Sequence, residues 1–190
     1  MVCATDSSAA CPDWPGCYGK AIPPPEIHAI IEYTHRVIAA LTTPLIVAAA
    51  VVGWRRARGL RLVSRLPLVA VLFALAAAVF GALTVLTGLP RGWAAVDLGS
   101  ALIVVTLMVA AATAAWARHA HPGTPDRLST RSPLARLAAV TLGAVYAVYV
   151  GGILVAGGGS MTRCLSWPIW RILSGDLGGG LQVARLTVTV

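Results

Sequence analysis

Two long uncharged apolar runs constrain this chain more than any other feature of its sequence. No Asp, Glu, Lys or Arg occurs from Leu66 to Leu89 or from Leu137 to Met161. At about 1.5 Å per residue, each run is long enough to cross a hydrocarbon core about 30 Å thick. Charged residues make up only 12% of the 190 residues, against about 25% in soluble domains. The sequence therefore predicts a membrane protein.

The apolar segments divide into four complete spans and a partial fifth. In lipid only helices and closed barrels satisfy their backbone groups, and barrel strands need only about ten residues. The fold class expected is therefore all-α, a polytopic transmembrane helical bundle. The predicted complete spans are His28–Trp54, Leu66–Leu89, Trp93–Trp116 and Leu134–Ala156. A further stretch, Leu177–Val190, is too short to cross and forms the partial fifth.

The arginines cluster in two segments between predicted spans, residues 55–65 and 118–136. Positive residues in short loops stay cytoplasmic, so these segments are predicted to be cytoplasmic. No aromatic residues interleave with these arginines, and we therefore assign the net charge of +8 to membrane topology and not to nucleic-acid binding. The chain is expected to be a multi-pass protein of the cell membrane, with the lipid bilayer as a partner.

A weak internal repeat suggests how the chain is organised. CPDWPGC at 11–17 is echoed by CLSWPIW at 164–170, each placed before a predicted helix. We expect residues 1–27 to form an extracytoplasmic cysteine loop and residues 28–133 to form a three-span bundle with arginine-rich cytoplasmic loops. Residues 134–190 are expected to begin a second repeat, with one span, an outer loop and a partial helix.

Ionisable residues at the start of the first span are the strongest functional signal. Spacings of four and three place His28, Glu32 and His35 on one helical face, with Arg36 beside them. Such groups at span depth are costly unless they are paired or used. A histidine directed into a helical bundle is a good iron ligand, and a carboxylate one turn away can accept protons. We predict functional roles for His35 and Glu32; the alternative for His35 is an interfacial pair with Glu32.

Other polar residues of the apolar regions are interpreted more simply. His28 lies at the membrane boundary, and His119 and His121 lie in an arginine-rich segment, so all three are assigned to solvent-facing positions. Asp97, in the third predicted span, lies at the same depth as His35. A lone carboxylate there needs a partner, and the expected partner is Arg36 or His35.

Cys11 and Cys17 enclose five residues, two of which are prolines. A disulfide closing so short a loop contributes about 2–3 kcal/mol by the chain-entropy model. Two thiols alone fall short of the four ligands of a structural zinc site. The spacing also lacks the C-x-x-C arrangement that lowers a thiol pKa. We interpret the pair as a structural or regulatory disulfide.

Three stretches of the chain resemble the heme A synthase family of cytochrome oxidase assembly proteins. They are CPDWPGCYGKAIPPPEIHAIIEYTHRVIAAL (11–41), GALTVLTGLPRGWAAVDLGSAL (81–102) and, more loosely, GGILVAGGGSMTRCLSWPIW (151–170). The resemblance implies part of an eight-helix bundle made of two four-helix halves. It also implies an oxidoreductase that converts a methyl group of heme O to the formyl group of heme A.

The resemblance assigns roles residue by residue. His35 matches an axial heme ligand, Glu32 matches the acidic residue needed for chemistry, and Cys11 and Cys17 match an outer-loop cysteine pair. The cofactor implied is a b- or o-type heme whose iron is bound through His35.

Two more residues, Arg36 and Asp97, are predicted to contribute to cofactor binding, and Asp97 stands where the family pattern has a second histidine. The partners implied are heme O as substrate, a heme O synthase or other oxidase assembly factors, and a second copy of the chain.

Several positions depart from the family pattern and keep an alternative open. Besides Asp97, Trp170 stands where Cys164 would have its partner, and Ala184 replaces an expected histidine. The alternative is a non-catalytic membrane subunit or truncated relative with a structural or heme-binding role. A quinone-linked thiol oxidoreductase is a third hypothesis, which the missing C-x-x-C spacing disfavours.

Overall fold

The chain folds into four long helices. The computed structural model describes Ser7 and residues 10–155. The helices are α1 (Ile27–Arg56), α2 (Arg61–Leu86), α3 (Arg91–Ala120) and α4 (Pro133–Val155). Each contains a segment long and apolar enough to cross a membrane. The predicted all-α polytopic bundle is confirmed for this part of the chain, whereas the partial fifth span and the second cysteine segment lie outside the described residues.

The start of α2 differs from the prediction. The helix begins at Arg61, one turn before the predicted start at Leu66. The first N–H groups of a helix have no partner within it. Here the Asp126 carboxylate, from the segment between α3 and α4, accepts hydrogen bonds from the backbone N–H groups of Arg61 and Leu62. This contact stabilises the early start and fixes the α3–α4 segment against the α1–α2 turn.

The end of α2 also comes earlier than predicted, at Leu86 and not at Leu89. Gly88 adopts φ 77° and Leu89 adopts φ 63°, a left-handed conformation that ends a helix and favours glycine. The N–H of Leu89 returns to the carbonyl oxygen of Thr84 at 2.7 Å. The chain thereby reverses within a few residues and enters α3.

Helices that are adjacent in sequence are adjacent in the bundle. α1 packs on α2, α2 on α3 and α3 on α4, and the short turns at 57–60 and 87–90 make successive helices antiparallel. One end of the bundle, the cysteine-loop end, carries residues 10–26 and the turn at 87–90. The other, the arginine end, carries the turn at 57–60 and the segment 121–132. The starts of α1 and α3 therefore share the cysteine-loop end.

Small residues allow the helices to approach closely. Gly53 of α1 lies so near α2 that a Cβ atom there would be 2.6 Å from the carbonyl oxygen of Val63. The central cluster joins α1, α2 and α3 through the buried residues Ile46, Ala70, Ala74 and Val104. In lipid, helix association depends on such packing because the surroundings are as apolar as the side chains.

The contact between α3 and α4 follows the same rule. A Cβ atom at Gly99 would lie 2.7 Å from the Tyr146 hydroxyl oxygen, so the absence of a side chain at Gly99 makes room for the end of the tyrosine. On the outside of the bundle, large apolar side chains such as Leu41, Leu72 and Leu137 are exposed. With four helices of spanning length, this surface is that of a multi-pass membrane protein.

Candidate functional site

The cysteine loop is closed by a disulfide and rests on the first helix. Cys11 and Cys17 are bonded, with their Cα atoms 4.8 Å apart, which confirms the predicted disulfide. Both cysteines are fully buried and pack against Ala29 of α1, with Tyr33 alongside. Because burial keeps reductants and partner thiols away from the sulfur atoms, this geometry favours the structural interpretation over the regulatory one.

Asp13 shapes the return of this loop. Its carboxylate oxygens accept hydrogen bonds from the backbone N–H groups of Tyr18 and Gly19, each at 2.6 Å. Both residues adopt left-handed φ values, 55° and 68°, which is costly for tyrosine. The hydrogen bond from Gly19, assisted by the one from Tyr18 and by the nearby Arg36 charge, lowers the pKa of Asp13 below its ordinary value. The ionised carboxylate therefore stabilises the turn.

The charge of Asp13 predicts a pH-dependent loop. A carboxylate whose pKa is lowered on folding contributes stability above its unfolded pKa of about 3.9, and this contribution disappears as the pH falls through the lower folded value. We expect Asp13→Asn to speed reduction of the disulfide by a water-soluble phosphine at pH 6 relative to the native chain. The difference between the two proteins should diminish as the pH falls below about 3.9 and disappear at acid pH, once Asp13 is protonated in both states. A difference that persisted unchanged there would show that the charge is not what matters.

Arg36 fastens the loop to α1. Its Nη1 donates to the carbonyl oxygens of Asp13 and Gly16 at 2.5 and 2.6 Å, and its Nη2 donates to the carbonyl oxygen of Cys11 at 3.1 Å. The same Nη2 forms an ion pair with Oε1 of Glu32, one helical turn earlier. A planar guanidinium with five fixed donors suits this role, which a compact ammonium group would not fill. Arg36 thus joins three points of the loop to the helix.

Glu32 of α1 also binds the cysteine loop, directly and through Arg36. Its side chain is almost fully buried, and its second oxygen, Oε2, accepts a hydrogen bond from the backbone N–H of Cys11 at 2.9 Å. Both carboxylate oxygens therefore have partners, Arg36 on one side and the loop backbone on the other. A buried charge is tolerated when it is paired and hydrogen-bonded in this way.

The two histidines of α1 have different surroundings. His28 Nδ1 lies 3.0 Å from the hydroxyl of Ser7, within the polar region beside the loop. His35 is exposed, one turn from Glu32, and its ring makes no hydrogen bond to any residue that the structure describes. Its imidazole nitrogens are therefore available to bind a metal ion at the cysteine-loop end of the bundle.

Asp97 lies at the same end but is not paired as expected. Its half-buried carboxylate packs against Gly81 of α2, where a Cβ atom would be 3.4 Å from Oδ2. Within residues 10–155 it forms no ion pair or hydrogen bond with Arg36 or His35. The expected pairing is thus not present, because the Arg36 guanidinium is occupied by Glu32 and the loop carbonyls. Gly81 gives the carboxylate room between the two helices.

Sequence reasoning missed two residues of this site, Asp13 and Gly16. Gly16 is required because a Cβ atom there would lie 2.7 Å from the carbonyl oxygen of Lys20. The aspartate and glycine of PDWPG are typical of turns, and that signal was available in the sequence. No group of three or more His, Cys, Asp or Glu side chains suited to a metal ion occurs in the part of the chain described. Any iron here would depend on a porphyrin for most of its ligands.

Together these features define a class of protein: a multi-pass helical membrane protein in which a disulfide loop is held over a buried Glu–Arg pair, next to an unengaged histidine. The model of the COX15-CtaA family, described as cytochrome oxidase assembly protein, matches residues 25–176. The chain belongs to this family of cytochrome oxidase assembly proteins. The match begins two residues before α1, after the cysteine pair, and covers α1 to α4.

Individual relatives carry the name heme A synthase. The protein from Halalkalibacterium halodurans is 28% identical over 185 residues, which cover 94% of this chain and 61% of that protein. The one from Exiguobacterium sp. is 30% identical over 171 residues, covering 88% of this chain and 55% of that protein. The chain thus spans a little over half the length of these relatives. No solved structure matches the chain significantly.

Proposed function

We propose that this chain acts in heme A formation as a heme A synthase-type oxidoreductase, converting a methyl group of heme O to the formyl group of heme A. The observation that carries the proposal is the unengaged His35 ring, one turn from the buried Glu32–Arg36 pair, in a chain whose relatives are named heme A synthase. Formally, water supplies the oxygen atom while four electrons and four protons leave, so an electron acceptor has to take part. Heme O synthase or other oxidase assembly factors are the proposed partners.

The residues present fit a heme held through one histidine. His35 offers an imidazole nitrogen at the edge of an apolar bundle, which is the usual environment of a heme ligand. A bound heme would supply the redox chemistry of its iron. Asp97, like His35, lies at the cysteine-loop end of the bundle and has no partner there: its carboxylate makes no hydrogen bond or ion pair within residues 10–155. We assign it to cofactor binding on that basis.

In this proposal the Glu32 carboxylate accepts and releases protons, and Arg36 holds that carboxylate in position. The carboxylate is shielded from solvent, and its charge is balanced by the guanidinium. Each carboxylate oxygen accepts one hydrogen bond, from Arg36 or from Cys11 N–H, and keeps a second lone pair on which it would accept a proton.

The proposed orientation places the cysteine loop on the extracytoplasmic side. The arginine end carries nine arginines and one aspartate among the described residues. Short segments with such an excess of arginine remain in the cytoplasm. The disulfide is then on the oxidising side of the cell membrane, where such bonds persist.

A second candidate is favoured by the geometry of Glu32. Because both of its oxygens are engaged, the residue also suits a purely structural role, holding the cysteine loop in place. The chain would then be a non-catalytic membrane subunit that binds heme or supports packing without oxidising it. The aspartate at position 97, where the family pattern has a histidine, favours this candidate as well.

The experiment that tests the proposal starts from a reduced-minus-oxidised optical spectrum of the detergent-purified chain. Extraction into alkaline pyridine identifies the heme type and its stoichiometry. The chain is then incubated with heme O and an electron acceptor, and the products are separated by chromatography. We expect stoichiometric heme and time-dependent formation of heme A.

The outcomes separate the two candidates. Bound heme without conversion of heme O would favour the non-catalytic subunit over the enzyme. A featureless spectrum from protein shown by circular dichroism to be helical would contradict both heme-binding proposals. A Glu32→Gln variant that bound heme but no longer converted heme O would support the proton-handling role.

A further inference from the structure

The arginine end carries a concentration of positive charge that heme chemistry does not use. Nine arginines lie at this end of the described chain, and they are Arg55, Arg56, Arg58, Arg61, Arg65, Arg118, Arg127, Arg131 and Arg136. Asp126 is the one acidic residue among them. At the cysteine-loop end, by contrast, basic and acidic side chains are nearly balanced. Within the described residues, the excess of positive charge is therefore confined to the arginine end.

Asp126 does not neutralise this charge. Its carboxylate oxygens are engaged by the backbone N–H groups at the start of α2, and it forms no ion pair with an arginine within the described residues. The contact instead draws the segment 121–132 against the turn at 57–60. Arginines from two separate stretches of sequence are thereby brought onto one continuous surface.

The backbone between α3 and α4 is held in place by one arginine from each of these two helices. Arg118 donates to the carbonyl oxygen of Thr124, and Arg136 donates to those of Thr130 and Arg131. Six of the nine arginine side chains are exposed and make no hydrogen bond within residues 10–155, and they are Arg55, Arg56, Arg61, Arg65, Arg127 and Arg131. These six guanidinium groups are free to bind an external anion.

Two tryptophans set the depth of this surface. Trp54 and Trp116 are 52% and 73% exposed, one near the end of α1 and the other near the end of α3. The Arg58 guanidinium lies 5.6 Å from the centre of the Trp54 ring. Exposed tryptophans at the ends of spanning helices lie at the level of lipid headgroups. The arginines beside these tryptophans therefore lie at the same depth, where the phosphate groups of lipids are the nearest anions.

We propose that the arginine end is a binding surface for anionic phospholipid headgroups, formed from two loops that Asp126 joins. The guanidinium fork binds phosphodiester oxygens in pairs, and the six unengaged groups provide several such forks side by side. An anionic headgroup adds a net negative charge that a zwitterionic one lacks. The surface is independent of the proposed oxidation of heme O and lies at the opposite end of the bundle.

The binding test uses the full-length chain in a neutral detergent, with phosphatidylglycerol and phosphatidylcholine of equal chain length titrated and followed by native mass spectrometry. We expect tighter binding of phosphatidylglycerol, weakened by salt. Each arginine near the surface accounts for about fivefold in affinity. Arg56→Gln with Arg65→Gln should therefore weaken phosphatidylglycerol binding about 25-fold. The matched control, Lys20→Gln with Arg91→Gln, removes two charges at the other end and should leave the affinity unchanged.

A third variant separates a joined surface from simple charge attraction. Asp126→Ala raises the net positive charge, so charge alone predicts tighter phosphatidylglycerol binding. If the two loops must be joined, binding weakens instead, and we expect this result. Equal losses in both double variants, or tighter binding by Asp126→Ala, would overturn the proposal. Glycerol phosphate, which is a headgroup without acyl chains, provides a last test. If it competed as well as the intact lipid, the proposal would also be overturned, because the surface would then be an anion site and not a lipid site.

Discussion

Replacing His35 by alanine is expected to reduce the heme absorbance of the purified chain from stoichiometric to background. The chain has four histidines, and His119 and His121 lie at the arginine end. Of the two on α1, His28 is next to the Ser7 hydroxyl, whereas the His35 ring makes no hydrogen bond within the described residues. His35 is therefore the imidazole best placed for iron. The measurement is the reduced-minus-oxidised spectrum, normalised to protein.

The control for this experiment is His28→Ala, which removes an exposed histidine from the same helix. It should retain the spectrum. Since His35 is itself exposed, His35→Ala should change the free energy of unfolding by no more than about 0.5 kcal/mol. A loss of heme at unchanged melting temperature would then report ligation and not misfolding. Full absorbance in His35→Ala would exclude this residue as the ligand.

Replacing Arg36 by methionine should cause the largest loss of stability of any single change at the site. Methionine keeps the unbranched apolar stem of the side chain but leaves the buried Glu32 carboxylate without its cation and three loop carbonyls without a donor. Breaking a buried ion pair by removing one partner costs about 3–5 kcal/mol. The loss is measured as the free energy of unfolding in detergent. Release of the loop should also make the Cys11–Cys17 disulfide easier to reduce.

Two further variants define the cause of this loss. Arg55→Met removes an arginine from the exposed end of the same helix and should change stability by no more than about 0.5 kcal/mol. Adding Glu32→Gln to Arg36→Met removes the unpaired charge, so part of the lost stability, about 0.5–3 kcal/mol of coupling, should return. No recovery in the double variant would mean that the loop carbonyls, and not the buried carboxylate, dominate the cost.

The sequence was sufficient for the spans because their physical signal is local. Uncharged apolar length decides whether a segment crosses the membrane, and the segments around Leu72 and Val104 carry that signal without reference to any other part of the chain. The cysteine pair was equally accessible, since two cysteines six residues apart can meet without help from the fold. Family resemblance added the expected roles of His35 and Glu32.

The docking of the loop was not predictable from residue types. Arg36 binds carbonyl oxygens of the loop, and every residue has a carbonyl, so nothing in the sequence marks those three. The expected pairing with Asp97 rested on matching depth alone. In the structure nearer acceptors occupy the guanidinium, while Asp97 packs against Gly81. Equal depth in a bilayer does not determine which groups meet, because the rotation of each helix also matters.

The hydrogen bonds from Arg61 and Leu62 to Asp126 have a consequence for synthesis of the chain. The donors and the acceptor are separated by 65 and 64 residues. Synthesis proceeds from the N-terminus at about 5–20 residues per second, so the partner of these N–H groups is made roughly 3–13 s after them. Until then the N-terminal edge of the second span lacks the contact that fixes its boundary. Its final register at the membrane surface is therefore set by a residue translated after the third span.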